Sequence, residues 1–371
     1  MKIWHPFFIL ILLFSVSLAY AQDTTLTPES SPVPPTPVAT LAPPPASFRL
    51  QGLHYESQNW NNCGPATLTN ALSFFGYADN QKRAAEWLKP NYEDKNVSPW
   101  QMAEFVNRHV PEMAVYAKVR YGGDLLLLKQ LISNNFPVII EAGYDPEPDR
   151  LGWMGHYLLI DGYDDQNNQF HTLDSYIGPN TTYTYDYIDR FWQHFDRVYM
   201  VLYESSREEE LNRILGDDAD EWQNSLNALD QSRSEAMENP ENSFAWFNMG
   251  SNFLRLGMYP KPAIAYDQAR NYGLPWRMLW YQFGPYEAYY HVGRYDDIIA
   301  LVTPILNDGG GHFVEESYYY GGLAREGKGE YDRALANYTS AIEFNPNFTP
   351  ALEARDRVVG LINGTSTSNN N

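Results

Sequence analysis

Gly257, Gly293 and Gly329 stand 36 residues apart in both intervals, and each is followed two positions on by a tyrosine: Tyr259, Tyr295 and Tyr331. A fixed period of this length marks a stacked array of helical pairs, in which no unit can bury its apolar face without its neighbours. An all-helical region is therefore expected from about 205 to 360. Around the third glycine the run Gly329-Glu330-Tyr331-Asp332-Arg333-Ala334-Leu335, with Tyr338, Ala341 and Pro346, supplies small residues that let helices approach and aromatics that fill the gap. The first copy offers Trp246, Gly250 and Phe253 for one helix and Tyr266 and Ala269 for the next. The middle copy departs from the pattern, with Pro285 inside its first helix and Ile298 where a small residue is usual.

The chain ahead of the repeats has a different character. Lys2, an apolar run from Phe7 to Leu18 and Ala19-Tyr20-Ala21 have the form of an export leader over 1–21, cleaved before Gln22. The expected location is secreted or extracytoplasmic, with attachment to the cell surface if the leader is retained. No other segment is apolar enough to cross a membrane. Residues 22–47 hold eight prolines among Thr, Ser, Val and Ala, a composition for an extended, disordered linker rather than a packed core. Residues 361–371 end in Asn, Ser, Thr and Gly and are expected to form a disordered tail. A net charge of -20 excludes nucleic acid as a partner, because such binding depends on cations that neutralise phosphates.

Residues 48–204 mix short helices with strands. A helix is expected over Cys63–Phe75, with Pro65 in its first turn and Leu68, Leu72 and Phe75 at helical spacing. Ser98-Pro99 should open a second helix through Val106, and Asp124 should cap a third through Ile132. Strands are expected over Pro137–Glu141, His156–Gly162, Gln169–Leu173 and Arg197–Tyr203, with a turn at Asp164-Asp165-Gln166-Asn167-Asn168.

An exported chain with one cysteine can form no internal disulfide, so Cys63 needs another use. A buried inert thiol is the ordinary one. Cys63, however, opens a helix, where partial positive charge and free N–H groups stabilise a thiolate and can bind an oxyanion. A nucleophilic cysteine needs a base. Six histidines follow it, and His156 stands apart by opening the apolar strand Gly155-His156-Tyr157-Leu158-Leu159-Ile160 after a Gly-containing loop. A hairpin turning near Asp165 would set Asp174 directly opposite His156, as the carboxylate that orients the imidazole. Asp161 and Asp165 are rivals for that role. No cluster of His and Cys has metal spacing, no phosphate-binding Gly loop is present, and no cofactor is expected.

Gln58 ahead of Cys63-Gly64-Pro65-Ala66, then Gly155-His156-Tyr157 leading to Asp161-Gly162-Tyr163-Asp164-Asp165, then Leu173-Asp174-Ser175-Tyr176, together resemble the C39-like peptidase family. The resemblance implies a papain-like α+β domain over 48–204 with Cys63 as nucleophile, His156 as base, Asp174 as orienting acid and Gln58 as oxyanion-hole donor. Gln58 lies five residues before the cysteine where the papain pattern has six. Better-known relatives are fused to transporters and cut leader peptides after Gly-Gly; this chain lacks those partners, so that substrate is not carried over. The repeats at 205–360 resemble tetratricopeptide (TPR) repeats, which implies an all-α domain offering a groove to a peptide or protein. The expected function is a thiol hydrolase that cleaves a peptide or amide bond, with the repeats recruiting a protein substrate or partner. Two alternatives are a catalytically silent peptide-binding module and an amidase or acyl-transfer enzyme. Trp60 and Trp153 are candidates to line the cleft, with core packing the ordinary role for aromatics in so aromatic a chain.

Overall fold

The computed structural model describes residues 41–145 and 152–368. The expected leader, the Pro-rich stretch up to residue 40 and the end of the tail lie outside the described residues. Among the described residues, seven antiparallel strands form one sheet: β1 (Ser47–Arg49), β2 (Val115–Arg120), β3 (Val138–Tyr144), β4 (Met154–Asp164), β5 (Gln169–Asp174), β6 (Gly178–Thr184) and β7 (Tyr199–Glu204). Their spatial order is β2-β7-β3-β4-β5-β6, and β1 pairs with the far end of β4. β4 is central and buried along nearly its whole length, which explains its near-continuous apolar run.

Helices cover both faces. On one side lie α1 (Cys63–Ser73), α2 (Gln81–Leu88) and α3 (Pro99–Glu104); on the other lie α4 (Leu125–Ser133), α5 (Tyr185–Trp192) and α6 (Glu208–Leu215). Alternate residues of the strands feed the two layers, Ile139, Leu159 and Leu202 packing with Leu68 and Leu72, and Val138, Ile160 and Val201 packing with Leu131 and Trp192. Asp124 caps α4 by accepting from Leu127 N at 2.7 Å. Ser98 opens α3 with a reciprocal capping box to Gln101, but the α-helix ends at Glu104 and passes into a π-helical turn at Phe105–His109.

Three local expectations need correction. Residues 42–47 are not free spacer, because Ala42 O accepts from Gln130 Nε2 (3.0 Å), Pro45 O from Tyr163 Oη (2.9 Å) and Ala46 O from Asp165 N (2.9 Å). Proline donates nothing, yet its carbonyl still docks, so a Pro-rich composition did not exclude attachment. β2 and β6 carried no clear strand signal. They are the two ends of the sheet, and Tyr, Lys, Arg, Thr and Asn there replace the apolar alternation of inner strands. At the other end of the chain a helix begins at Thr349 and runs to Ser368, through most of the stretch expected to be tail. Buried Ala351, Ala354 and Val358 anchor its start, and extending a helix costs far less than nucleating one.

Beyond β7 every described element is helical: α7 (Glu221–Glu238), α8 (Ser243–Arg255), α9 (Lys261–Tyr272), α10 (Gly284–His291), α11 (Tyr295–Leu306), α12 (Glu315–Gly327), α13 (Tyr331–Phe344) and α14 (Thr349–Ser368), with 3-10 turns between some of them. Gly257, Gly293 and Gly329 link the members of three successive pairs with φ of 63°, 73° and 76°, a left-handed geometry in which a side chain costs on the order of 1 kcal/mol. In the outer pairs a ring lies on a glycine: a Cβ on Gly250 would stand 2.9 Å from Tyr266 and one on Gly322 would stand 2.5 Å from Tyr338. The equivalent positions of the middle pair hold Tyr286 and Val302, so the bulk moves from the second helix to the first.

The helical array grips the sheet domain near both of its ends and also at its middle, where Gln282 Nε2 donates to His194 O at 2.8 Å. At one end, Asn224 exchanges hydrogen bonds with Tyr121 N (3.0 Å) and O (2.8 Å), and Arg255 pairs with buried Asp196. At the other end, Asp94 meets Glu315 and Glu316 of α12, all three buried, and Asn347 Nδ2 reaches Trp87 O at 3.1 Å. Burial is the main cause that pushes Asp94 up to about 6 and Glu316 up to about 8, with mutual repulsion adding to it for Glu316. Glu315 is raised well above its ordinary value by the same causes. Buried Lys89 offsets part of this at Asp94, and Asn96 and Asn345 donate to the two glutamates. The folded state thus holds protons that the unfolded chain releases, so this second grip stabilises below the ordinary carboxylate range and is lost as pH rises.

The thermal midpoint should therefore fall between about pH 6.5 and 8, a window above the range in which buried His194 contributes with the opposite sign. Glu316→Gln should flatten that slope relative to wild type. Parallel melting curves at several pH values would refute the assignment if the two slopes matched.

Candidate active site

α1 begins at Cys63, with Asn62 as its N-cap residue and Pro65 within the first turn. Helical pairing cannot satisfy the first N–H groups of a helix, so Cys63 sits where backbone donors and the positive end of the macrodipole converge. The residues ahead of it are fixed by buried Gln81, whose Oε1 accepts from Asn59 N (2.8 Å) and Asn62 Nδ2 (3.0 Å). The buried Lys89 ammonium donates to Asn62 Oδ1 (3.3 Å) and Tyr92 O (3.1 Å), adding positive charge behind the thiol.

His156 and Asp174 meet across β4 and β5, with Nε2···Oδ1 at 2.9 Å, which leaves Nδ1 as the ring nitrogen for the hydrogen bond with Cys63. The two are not directly opposite, contrary to the hairpin expected from the sequence. Near the turn Asp164 pairs with Gln169 and Gly162 with His171, but beyond a bulge at Asp161 the partners are Ile160 with Thr172 and Leu159 with Leu173. Continuing this register sets Asp174 opposite Leu158, two residues from His156. Side chains alternate with period 2, so an offset of two keeps both on one face. Without the extra residue at the bulge, Asp174 would share its face with Tyr157 and Leu159 instead. Asp161 itself is held by Arg49 at 3.0 Å and Asp165 by Lys129 at 2.6 Å, so both rivals are engaged elsewhere.

Asp174 is buried and accepts four hydrogen bonds: from His156, Tyr183 Oη (2.6 Å), Tyr176 N (2.8 Å) and Ile177 N (3.1 Å). Burial disfavours its charge, but the His156 charge and these donors prevail and hold it at about 2. For His156 burial pulls the other way, yet the Asp174 carboxylate and the Cys63 hydrogen bond push it up to about 10. The Cys63 thiol is raised by burial and lowered by the His156 hydrogen bond and charge, the Tyr157 backbone and Lys89, with a net fall below the ordinary 9.0. The arrangement favours a thiolate beside an imidazolium over the neutral pair.

Gln58 is locked by the β5–β6 turn. Its N–H donates to Ser175 O at 2.8 Å, and its Oε1 accepts from Ser175 Oγ at 2.9 Å, which turns the amide NH2 away from Ser175. Gln58, Trp60, Cys63, Tyr144, His156 and Tyr176 line one cavity of about 600 Å³. Trp60 is thus at the cleft, whereas Trp153 stacks on Phe195 and donates to His194 Nδ1 at 2.9 Å. Ser175 and Tyr183 were not singled out from sequence; the Leu-Asp-Ser-Tyr run contained the first, while the second reaches Asp174 only through strand pairing. Among the described residues no group of three His, Cys, Asp or Glu could hold a metal ion, and no helix is long and apolar enough to cross a membrane.

Residues 50–206 match the model of the Peptidase_C39 like family. No curated protein matches the chain. Among solved structures, a candidate C39-like peptidase from Bacillus anthracis is similar at 11% identity and a TM-score of 0.34, covering 42% of this chain and 97% of that one. A double mutant of MamA RS-1 is similar at 13% identity and a TM-score of 0.30, covering 44% of this chain and 96% of that one. The match to the Peptidase_C39 like family over residues 50–206 supports a peptidase-type function for the α+β domain.

Proposed function

We propose that the protein is an exported thiol peptidase in which Cys63, His156 and Asp174 act as a catalytic triad and Gln58 completes the oxyanion hole. The observation that carries this reading is the chain of contacts from buried Asp174 through buried His156 to the half-buried Cys63 thiol at a helix N-terminus. The Cys63 thiolate attacks the carbonyl carbon of a peptide or amide bond, and the Cys63 N–H with the Gln58 amide stabilises the developing oxyanion. His156 then donates its proton to the leaving amine, and water attacks the thioester with His156 as base, restoring the thiol. Asp174 stays ionised and keeps the imidazole oriented. The leader-like segment at 1–21 supports export, and the TPR-like helical pairs support recruitment of a peptide or protein.

Two outcomes test the site. Cys63 in residues 42–371 should be alkylated by iodoacetamide with a midpoint below the ordinary thiol value of 9.0, and His156→Ala should move that midpoint upward. Identical profiles for the two proteins would refute the pairing and favour a silent binding module. Given a turned-over peptide, Cys63→Ala should abolish hydrolysis while retaining binding, and Gln58→Ala should lower kcat by about 10²–10³ with little change in KM. A Gln58 effect confined to KM would remove it from the oxyanion hole, and an amine cosubstrate found in the product would reassign the reaction to acyl transfer.

A further inference from the structure

The cavity at Cys63 has a second wall that the α+β domain does not supply. Trp276, Arg277, Trp280 and Tyr281, with the Asp308–Gly310 turn, face it from the helical array. These residues lie in the two connections that join successive helical pairs at the middle of the array. The connections at 273–283 and 307–314 are 11 and 8 residues long, while those at 239–242 and 345–348, near the two end grips on the α+β domain, have 4 each. The longer connections are the ones that reach the cleft, and Gln282 Nε2 ties the first of them to His194 O at 2.8 Å.

The wall is built by close approach. Gly155, next to His156, lies under the Tyr281 ring, and an added Cβ would stand 2.9 Å from it; the Gly155 backbone also bonds the Tyr281 hydroxyl. Trp280 is held by Gly310 and Gly311, where a Cβ would come within 2.5 and 2.7 Å of the indole. Trp276 is edge-on to Trp280 at 5.1 Å, and the Arg277 guanidinium lies over both rings at 4.6 and 5.4 Å. Trp280 is 6% exposed and belongs to a small core, but Trp276 is 58% exposed. A large aromatic displayed on a concave surface beside a nucleophile is the composition of a binding hot spot.

We propose that these two connections form the specificity wall of the catalytic cavity, and that the ligand is a short peptide placing an aromatic or bulky apolar side chain against Trp276 and Trp280. A volume of about 600 Å³ suits a few residues rather than a folded chain. The proposal rests on the reading of Cys63 as the reacting group, but its test does not. In residues 42–371 carrying Cys63→Ala, fluorescein-labelled hexaglycine is compared by anisotropy with hexapeptides in which one Phe is walked through the sequence. At least one Phe position should bind about tenfold more tightly than hexaglycine, and both Trp276→Ala and Trp280→Phe should erase most of that gain. Trp276 is exposed enough that its loss leaves the core intact, so a failure of Trp280→Phe to fold does not remove the test. Equal binding of all peptides, no binding of any, or a gain retained in Trp276→Ala would overturn the wall. An unreactive Cys63 combined with a Trp-dependent gain would instead sink the peptidase reading and leave the wall as a peptide-binding surface.

Discussion

The candidate site depends on a single extra residue in the central strand. Asp161 bulges out of the β4–β5 pairing and shifts the register by one, and only that shift puts Asp174 on the same face as His156. The bulge is itself secured, because Asp161 is buried and paired with Arg49 of β1, the short strand that extends the sheet beside the end of β4. Gly162, the next residue, lets that strand approach: a Cβ there would stand 2.7 Å from Phe48 O. A buried carboxylate left without Arg49 would be costly, so the ion pair serves to hold a register.

Around this register the electrostatics are arranged so that burial does not neutralise the charges it surrounds. Asp174 would ordinarily rise in a dry site, yet two backbone N–H groups, a tyrosine hydroxyl and the imidazole keep it ionised. Its charge then supports the imidazolium, and the imidazolium supports the thiolate. Each step is local, but removing the first acceptor would undo the sequence. The acids between Asp94 and α12 show the opposite outcome: with few donors and one nearby ammonium, burial raises all three carboxyls, Glu315 and Glu316 most.

The helical array belongs to the same argument. It docks at Asp196 and Tyr121 on one side and at Asp94 and Trp87 on the other, which fixes its middle over the cleft. Pro285, expected inside a helix, instead stands in the first turn of α10, where its missing N–H costs nothing, and with Ile298 it falls in the pair whose flanking connections reach the cavity. What looks like decay of a pattern falls where the array reaches the cavity. Its fixed glycines, by contrast, lie in turns within pairs and set only the repeat geometry.

Much of this was legible in the residues. Helical and strand periodicities located α1, α4 and the inner strands, because apolar spacing is a local record of burial on one face. Cys63, His156, Asp174 and Gln58 could be named from residue type, position in an element and family resemblance. Edge strands were not legible, since half-paired backbone does not demand an apolar pattern, and a Pro-rich stretch gave no sign that its carbonyls would dock. Tertiary structure alone decided the bulge at Asp161, the partners Ser175 and Tyr183, and the wall of Trp276, Trp280 and Tyr281. Sequence determined what is periodic within one element, whereas register, hydrogen-bond partners and cavity walls arise between elements distant in the chain and are settled only when they pack.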